Sequence, residues 1–441
     1  MNWLIRLLAN RKIAPTPDIH LGRYSDVYKE TEHANLWTKA LDQFFAQNYL
    51  ASYVAFFQYL EDKQEQNLFI ELQQDSLYFE LFQGSKRIFG VANERKLTAT
   101  AKIAQLTAYH ENLLRRLLEK NFNLKYSRYG LDKEKNICIT FDTYSLDASP
   151  YKLYAALKEL ATQADKQDDL LLEEFQPILK EIESEHLIPI SDEEKSIKYQ
   201  FIQQKIKTTF SYIEQHPELV MQYPGTIAYL FLDLAYTFDY LIQPQGYMME
   251  TLERIHRKYF EKAGNQQTKN DDIKTEFEQL LNRSKADYYK ELYYTKNTFG
   301  ITSSENHNWI VAFIEKELPN IRWYQENGYP KVALAIAGYI IGYCLFNYAL
   351  PKPDRDLFEL YYKIVEPQFF KSLGFQEEYY NEKRQKLNPK NIRTALDTIR
   401  TNNYKTYPTL SLSIQKLNFE SLPTFVISYL EMVKGDVNTQ K

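Results

Sequence analysis

Residues 332 to 350 read VALAIAGYIIGYCLFNYAL, nineteen positions without a charge, flanked by Lys331 and Lys352, with Gly338 and Gly342 in a Gly-x-x-x-Gly spacing. A run of this length is either a membrane span or a helix enclosed by protein. A second segment decides between them. YPGTIAYLFLDLAYTFDYLIQP, from Tyr223, and YPKVALAIAGYIIGYCLFNYALPKP, from Tyr329, each open with Tyr-Pro and stop at a proline, Pro244 or Pro351. Each is preceded by one amphipathic helix and followed by another, the pattern of a diverged internal repeat. The first copy carries Asp233 and Asp239 where the second has Tyr339 and Leu345. A charge at mid-bilayer costs about 2.5–3.5 kcal/mol even on a lenient scale. At helical rise the second run spans roughly 28 Å, barely the hydrocarbon thickness. Equivalent helices share an environment, so the sequence predicts two core helices and no transmembrane span, with Gly338 and Gly342 admitting a close neighbour.

The first half has a different rhythm. Pro15, Pro17 and Gly22 make residues 1–30 an extended lead-in. From Leu36 to Leu60 apolar residues recur at helical spacing, with a break at Gln47-Asn48. The period then falls to two in NLFIEL, LYFEL and RIFGV. QGSKR lacks the second glycine of a phosphate loop and joins two strands, so it reads as a hairpin turn. A helix is expected from about Leu97 to Asn121, then strands in LKYSRY and NICITFD, then a helix capped by Ser149 with Pro150 at its first position. The expected fold class is an α+β domain over residues 31–170 (helix, three strands, helix, two strands, helix). A connecting helix over 171–190 follows, then an all-α domain over 191–432, with repeat units near 198–262 and 305–372, and a disordered tail at 433–441. Ser191 and Glu194 spell a capping box, and AGNQQTKNDD (263–272) reads as a mobile polar loop.

The element order over residues 36–167 resembles the small α+β fold of type III secretion chaperones and their relatives. That resemblance implies a protein-binding role and carries no catalytic or ligand motif. The stretches LGRYSD and YLASYVAFFQYL are similar to those of an uncharacterised family of bacterial cytoplasmic proteins, a likeness that implies no activity.

Several function classes are disfavoured. The net charge of −4 supplies no global field for nucleic acid or anionic lipid, and the basic clusters Lys86-Arg87, Arg115-Arg116 and RIHRK are short. Cys138 and Cys344 lie in apolar segments and form no C-x-x-C pair, which fits a reducing cytoplasm. The 36 tyrosines and 26 phenylalanines, against 13 glycines, read as core filling with hydroxyls reaching the surface. Three Glu-x-x-His pairs, Glu30/His33, Glu183/His186 and Glu253/His256, have the spacing of di-iron ligands, but no inward glutamates complete a site. No cofactor or metal is expected, and no G-x-S-x-G elbow or nucleotide fingerprint is present.

The expectation is a cytoplasmic, non-enzymatic adaptor or chaperone-like module that binds a protein or peptide, with Phe69, Tyr78 and Phe82 exposed on the sheet. An enzyme using Asp233, Asp239 and His256 is the first alternative, because apolar surroundings perturb carboxylate pKa values. The second is weak peripheral attachment to a membrane through MNWLIRLL.

Overall fold

The computed structural model describes residues 17–175, 178–182 and 187–436. MNWLIRLL, the Glu183/His186 pair and residues 437–441 lie outside them. Helices α1 (Thr31–Phe45) and α2 (Tyr49–Leu60) form a hairpin that turns at Gln47, which adopts φ 63°. Strands β1 (Leu68–Gln73), β2 (Ser76–Gly84), β3 (Lys86–Asn93) and β4 (Lys96–Leu106) follow as an antiparallel meander. Gln83 pairs with Lys86, so Gly84-Ser85 is a two-residue hairpin turn and not a phosphate cradle. Then come α3 (Glu111–Asn121), β5 (Arg128–Leu131), β6 (Asn136–Tyr144) and α4 (Pro150–Glu174). Ser149 caps α4, accepting from the Lys152 amide at 3.3 Å.

The expected helix from Leu97 is mostly strand. In LTATAKIAQL the apolar residues alternate, and Leu97, Ala99, Ala101 and Ile103 all point inward and are buried. The alanines imitate helix propensity, yet in β4 they let α4 lie close against the central strand. The observed order is therefore two helices, four strands, helix, two strands and helix, one strand more than the chaperone-like expectation. The expected connecting helix over 171–190 is also corrected. Helix α4 ends at Glu174, and β7 (Leu179–Glu181) pairs with β4 at Ala104–Leu106.

The second region is helical: α5 (Asp192–Gln215), α6 (Pro224–Ile242), α7 (Gly246–Phe260), α8 (Gln266–Asn282), α9 (His307–Glu326), α10 (Pro330–Asn347), α11 (Lys352–Val365), α12 (Pro389–Asn403) and α13 (Leu422–Asp436), joined by turns, single-turn helices and longer irregular connections. Ser191 caps α5 through the Glu194 amide, but the Glu194 carboxylate accepts from Lys198 and Tyr294 instead of closing the box. The predicted mobile loop 263–272 is largely the first turns of α8. Asn265 caps it, Asn270 donates to the Pro224 carbonyl at 2.8 Å, and Ile273 and Phe277 are buried.

Helices α6 and α10, both opening at a proline, pack on each other at the centre. Among the described residues α10 is the one helix long and apolar enough to cross a membrane, and 61% of it is buried in protein. Its glycines touch α6 directly, Gly338 against the Asp233 carboxylate and Gly342 against Tyr236.

Two large cores result, one mainly from residues 40–179 and one from 190–433, and Leu232, Tyr236 and Tyr339 form a small third cluster where α6 meets α10. A short strand, β8 (Lys296–Asn297), emerges from the helical region and pairs with β2, completing an eight-stranded sheet in the order β1-β2-β3-β4-β6-β5 with β7 and β8 beside it. Among the described residues Phe299 is the one hydrophobic residue of the helical half buried in the sheet core. The Gln83 side chain accepts from the Phe299 amide at 2.9 Å and donates to its carbonyl at 3.2 Å, and Thr298 donates to the Phe82 carbonyl at 2.8 Å.

A methyl group added at Gly342 would sit 2.4 Å from Tyr236 Cβ, an atom no rotamer can move. Gly342→Ala should therefore lower stability by about 1–3 kcal/mol, read as a reduced urea midpoint at an unchanged slope.

Candidate functional site

Strand β1 is the edge of the sheet, and its side chains are exposed on both faces. Phe69 (54% exposed) and Tyr78 (43%) stand where expected, on the face away from α2 and α4. Phe82 does not. It is 5% exposed, because β8 lies beside it, with the Lys296 ammonium 5.6 Å from its ring and Phe69 edge-on at 5.8 Å. Missing from the sequence reading were Phe89, which enlarges this patch, and Ile70 and Leu72, which are exposed on the opposite face of β1. The Phe82 amide donates to the Asn67 carbonyl. Antiparallel alternation then makes Phe69–Glu80 and Glu71–Tyr78 the pairs bonded to β2, so the amides and carbonyls of Ile70 and Leu72 point to the open edge.

The other sequence candidates divide between two places. Asp239 and His256 lie near the junction of the two regions, linked through Arg23 of the lead-in. The Arg23 guanidinium holds Asp239 at 2.6 Å and Glu253 at 3.5 Å, and stacks 4.3 Å from the centre of the Phe346 ring. Lys166 of α4 reaches the same Glu253 at 3.1 Å. Burial lowers the Arg23 pKa, but the two carboxylates more than offset it and hold it above its ordinary value. His256 sits among Phe260, Tyr343 and Phe346, and its Nδ1 is 2.8 Å from the Tyr236 hydroxyl. Burial pushes the Tyr236 phenol well up, so it keeps its proton. Burial, with Arg23 nearby, pushes the imidazole down to about 4, so it is neutral at pH 7. It borders cavities of about 220 Å³ and about 590 Å³.

Asp233 is not part of this group. Its carboxyl faces Gly338 on another side of α6, near Lys205, Glu366 and Lys331. Burial pushes it up to about 7 against the pull of Lys205, while burial and Lys205 push the Lys331 amine down to about 8. The three residues proposed for an enzyme site are therefore not assembled into one.

Among the described residues no cluster of three or more His, Cys, Asp or Glu could hold a metal. Glu30 and His33 instead close the N-terminus of α1, and Glu253 serves Arg23 and Lys166. Both cysteines are buried, and desolvation pushes the Cys138 thiol up to about 11 and Cys344 higher still. Residues His20 to Lys29 also wall a junction cavity of about 720 Å³ that no local sequence signal announced. No protein-family model matches this chain, and no curated protein matches it either.

Arg23→Met would leave Asp239 buried without its cation, while Glu253 keeps Lys166, and should cost about 3–5 kcal/mol in denaturant titration. Because the folded-state pKa of His256 is depressed, the unfolded chain binds a proton first as the pH falls. Stability is full above about pH 6.5 and declines toward pH 4. His256→Gln should flatten that part of the profile when urea midpoints are compared at pH 7 and 5.

Proposed function

We propose that the chain is a cytoplasmic, non-enzymatic binding module that takes an extended segment of another protein as an added strand alongside β1. The observation that carries this is the open edge itself. Ile70 and Leu72 offer backbone donors and acceptors outward, and Phe69 (54% exposed) and Leu72 (57%) supply apolar side chains on opposite faces of the same strand. A natural edge strand is usually covered, charged or shortened, whereas this one keeps three exposed apolar residues in LFIELQ. Glu71 is its only charge. The fitting partner is an extended segment with alternating apolar residues and a lysine or arginine set to face Glu71. The two buried free cysteines support a reducing compartment. In the same interpretation, units 198–262 and 305–372 are diverged copies of one helical repeat, as the matching Tyr-Pro openings of α6 and α10 suggest.

Ile70→Pro provides the test, because the proline removes an amide that faces the open edge and not one bonded to β2. The tagged protein would be purified from its native host in low salt, and hydrogen exchange compared with and without the co-purifying partner. The amides of Ile70 and Leu72 should gain protection, and Ile70→Pro or Phe69→Ser should weaken the complex at least about tenfold. A partner that leaves both amides unprotected, or a chain that purifies alone, refutes the proposal.

A further inference from the structure

The junction cavity of about 720 Å³ lies between the lead-in, the ends of α1 and α2, and the start of α11, and falls within the usual range for small-molecule sites. Its charges are distributed unusually. Among the described residues the other half-buried arginines are paired with a carboxylate: Arg23, on this same cavity wall, with Asp239, Arg254 with Glu276, Arg283 with Glu291. Arg355, on the cavity wall, is not. Its guanidinium lies flat on the Tyr28 ring, 3.6 Å from the centroid, and its Nε is buried with no hydrogen-bond partner among the described residues. The acids nearest it on α11 are occupied, Asp356 by Lys352 and Asn403, and Glu359 by Lys363. Stacking fixes the plane of the fork and leaves its edge for a planar anion.

Asp62 and Glu65, at the end of α2, line the same cavity. Asp62 accepts from the backbone amides of Gln64 and Glu65 and from the Tyr24 hydroxyl. Neither carboxylate has a lysine or arginine within ion-pair distance among the described residues. Burial and the charge of Asp62 push the Glu65 carboxyl up to about 7, against the weaker pull of the Asn297 amide and the Lys296 charge.

We infer that this cavity binds a zwitterionic small molecule, a free amino acid or dipeptide, with its carboxylate on the edge of Arg355 and its ammonium between Asp62 and Glu65. The terminal Nη groups of Arg355, which have no carboxylate partner, and the two acids, which have no lysine or arginine within ion-pair distance among the described residues, are complementary to the two ends of such a ligand, and Tyr24 and Tyr28 supply walls for the chain between them.

The test is titration calorimetry of the full chain with a panel of free amino acids and dipeptides, each repeated as its N-acetyl and C-terminal amide derivatives. At least one panel member should bind saturably at one site. Both derivatives should bind at least about tenfold more weakly, since each loses a charge-assisted contact. Arg355→Gln should abolish binding and Arg355→Lys should only weaken it, while Phe69→Ser, on the sheet edge, should leave it unchanged. The inference is overturned if no panel member binds, if a blocked derivative binds as well as its parent, or if Arg355→Gln leaves the affinity intact. The derivatives act on the unaltered protein, so the outcome is decided even where a variant fails to fold.

Discussion

The guanidinium of Arg23 is the point on which the arrangement of the two regions turns. It belongs to a segment with no regular structure, yet it is enclosed by carboxylates from α6 and α7 and by the Phe346 ring of α10. A buried ion pair is not in itself strong stabilisation, because two ions must first be stripped of water. What it supplies is position, since neither partner can be satisfied elsewhere at comparable cost. With Lys166 of α4 on the same Glu253, three parts of the chain meet at one carboxylate. The lead-in is thereby held across the junction, where the Gly22 amide donates to the Tyr240 carbonyl and the buried Asp26 accepts from the Gly300 amide. This strap and the end of α2 together wall the large cavity.

Features that depend on near neighbours were legible in the sequence. Alternation marked β1 to β3, the Gln47-Asn48 break marked the first hairpin, and Ser149 and Ser191 marked helix starts. The charged residues within YPGTIAYLFLDLAYTFDYLIQP correctly argued that the long apolar helices belong inside protein. Failures came where local preference and tertiary context disagree. Alanines in β4 read as helix because their small size, not their propensity, is what the sheet requires there. The polar start of α8 read as a loop because its anchoring contact, Asn270 on Pro224, lies far away in sequence. Phe82 reads as exposed because the strand that covers it comes more than two hundred residues later. The junction cavity was invisible for the same reason: Tyr28 and Arg355 meet only in the folded chain.

The abundance of tyrosine has a physical role. Buried tyrosines need partners for their hydroxyls, and several find them across helix contacts, Tyr229 on Glu317, Tyr288 on the Leu280 carbonyl and Tyr429 on the Leu357 carbonyl, while the Tyr129 and Tyr362 hydroxyls are buried without one among the described residues. Each of the first three supplies aromatic area together with one directional bond, which fixes helix rotation more tightly than phenylalanine would. His256 and Arg23 then occupy gaps in this aromatic lattice, and their proton affinities follow from that enclosure.

The pairing of β8 with the end of β2 also bears on how the chain is made. Gln83 and Phe299 are separated by 216 positions, so a growing chain exposes the complete β1–β6 sheet long before the segment that caps it has left the ribosome. During that interval the end of β2 and the Phe82 side chain form a sticky surface beside the already open β1. Translation speed through the intervening helices thus sets how long the nascent sheet remains vulnerable to pairing with its neighbours on a polysome.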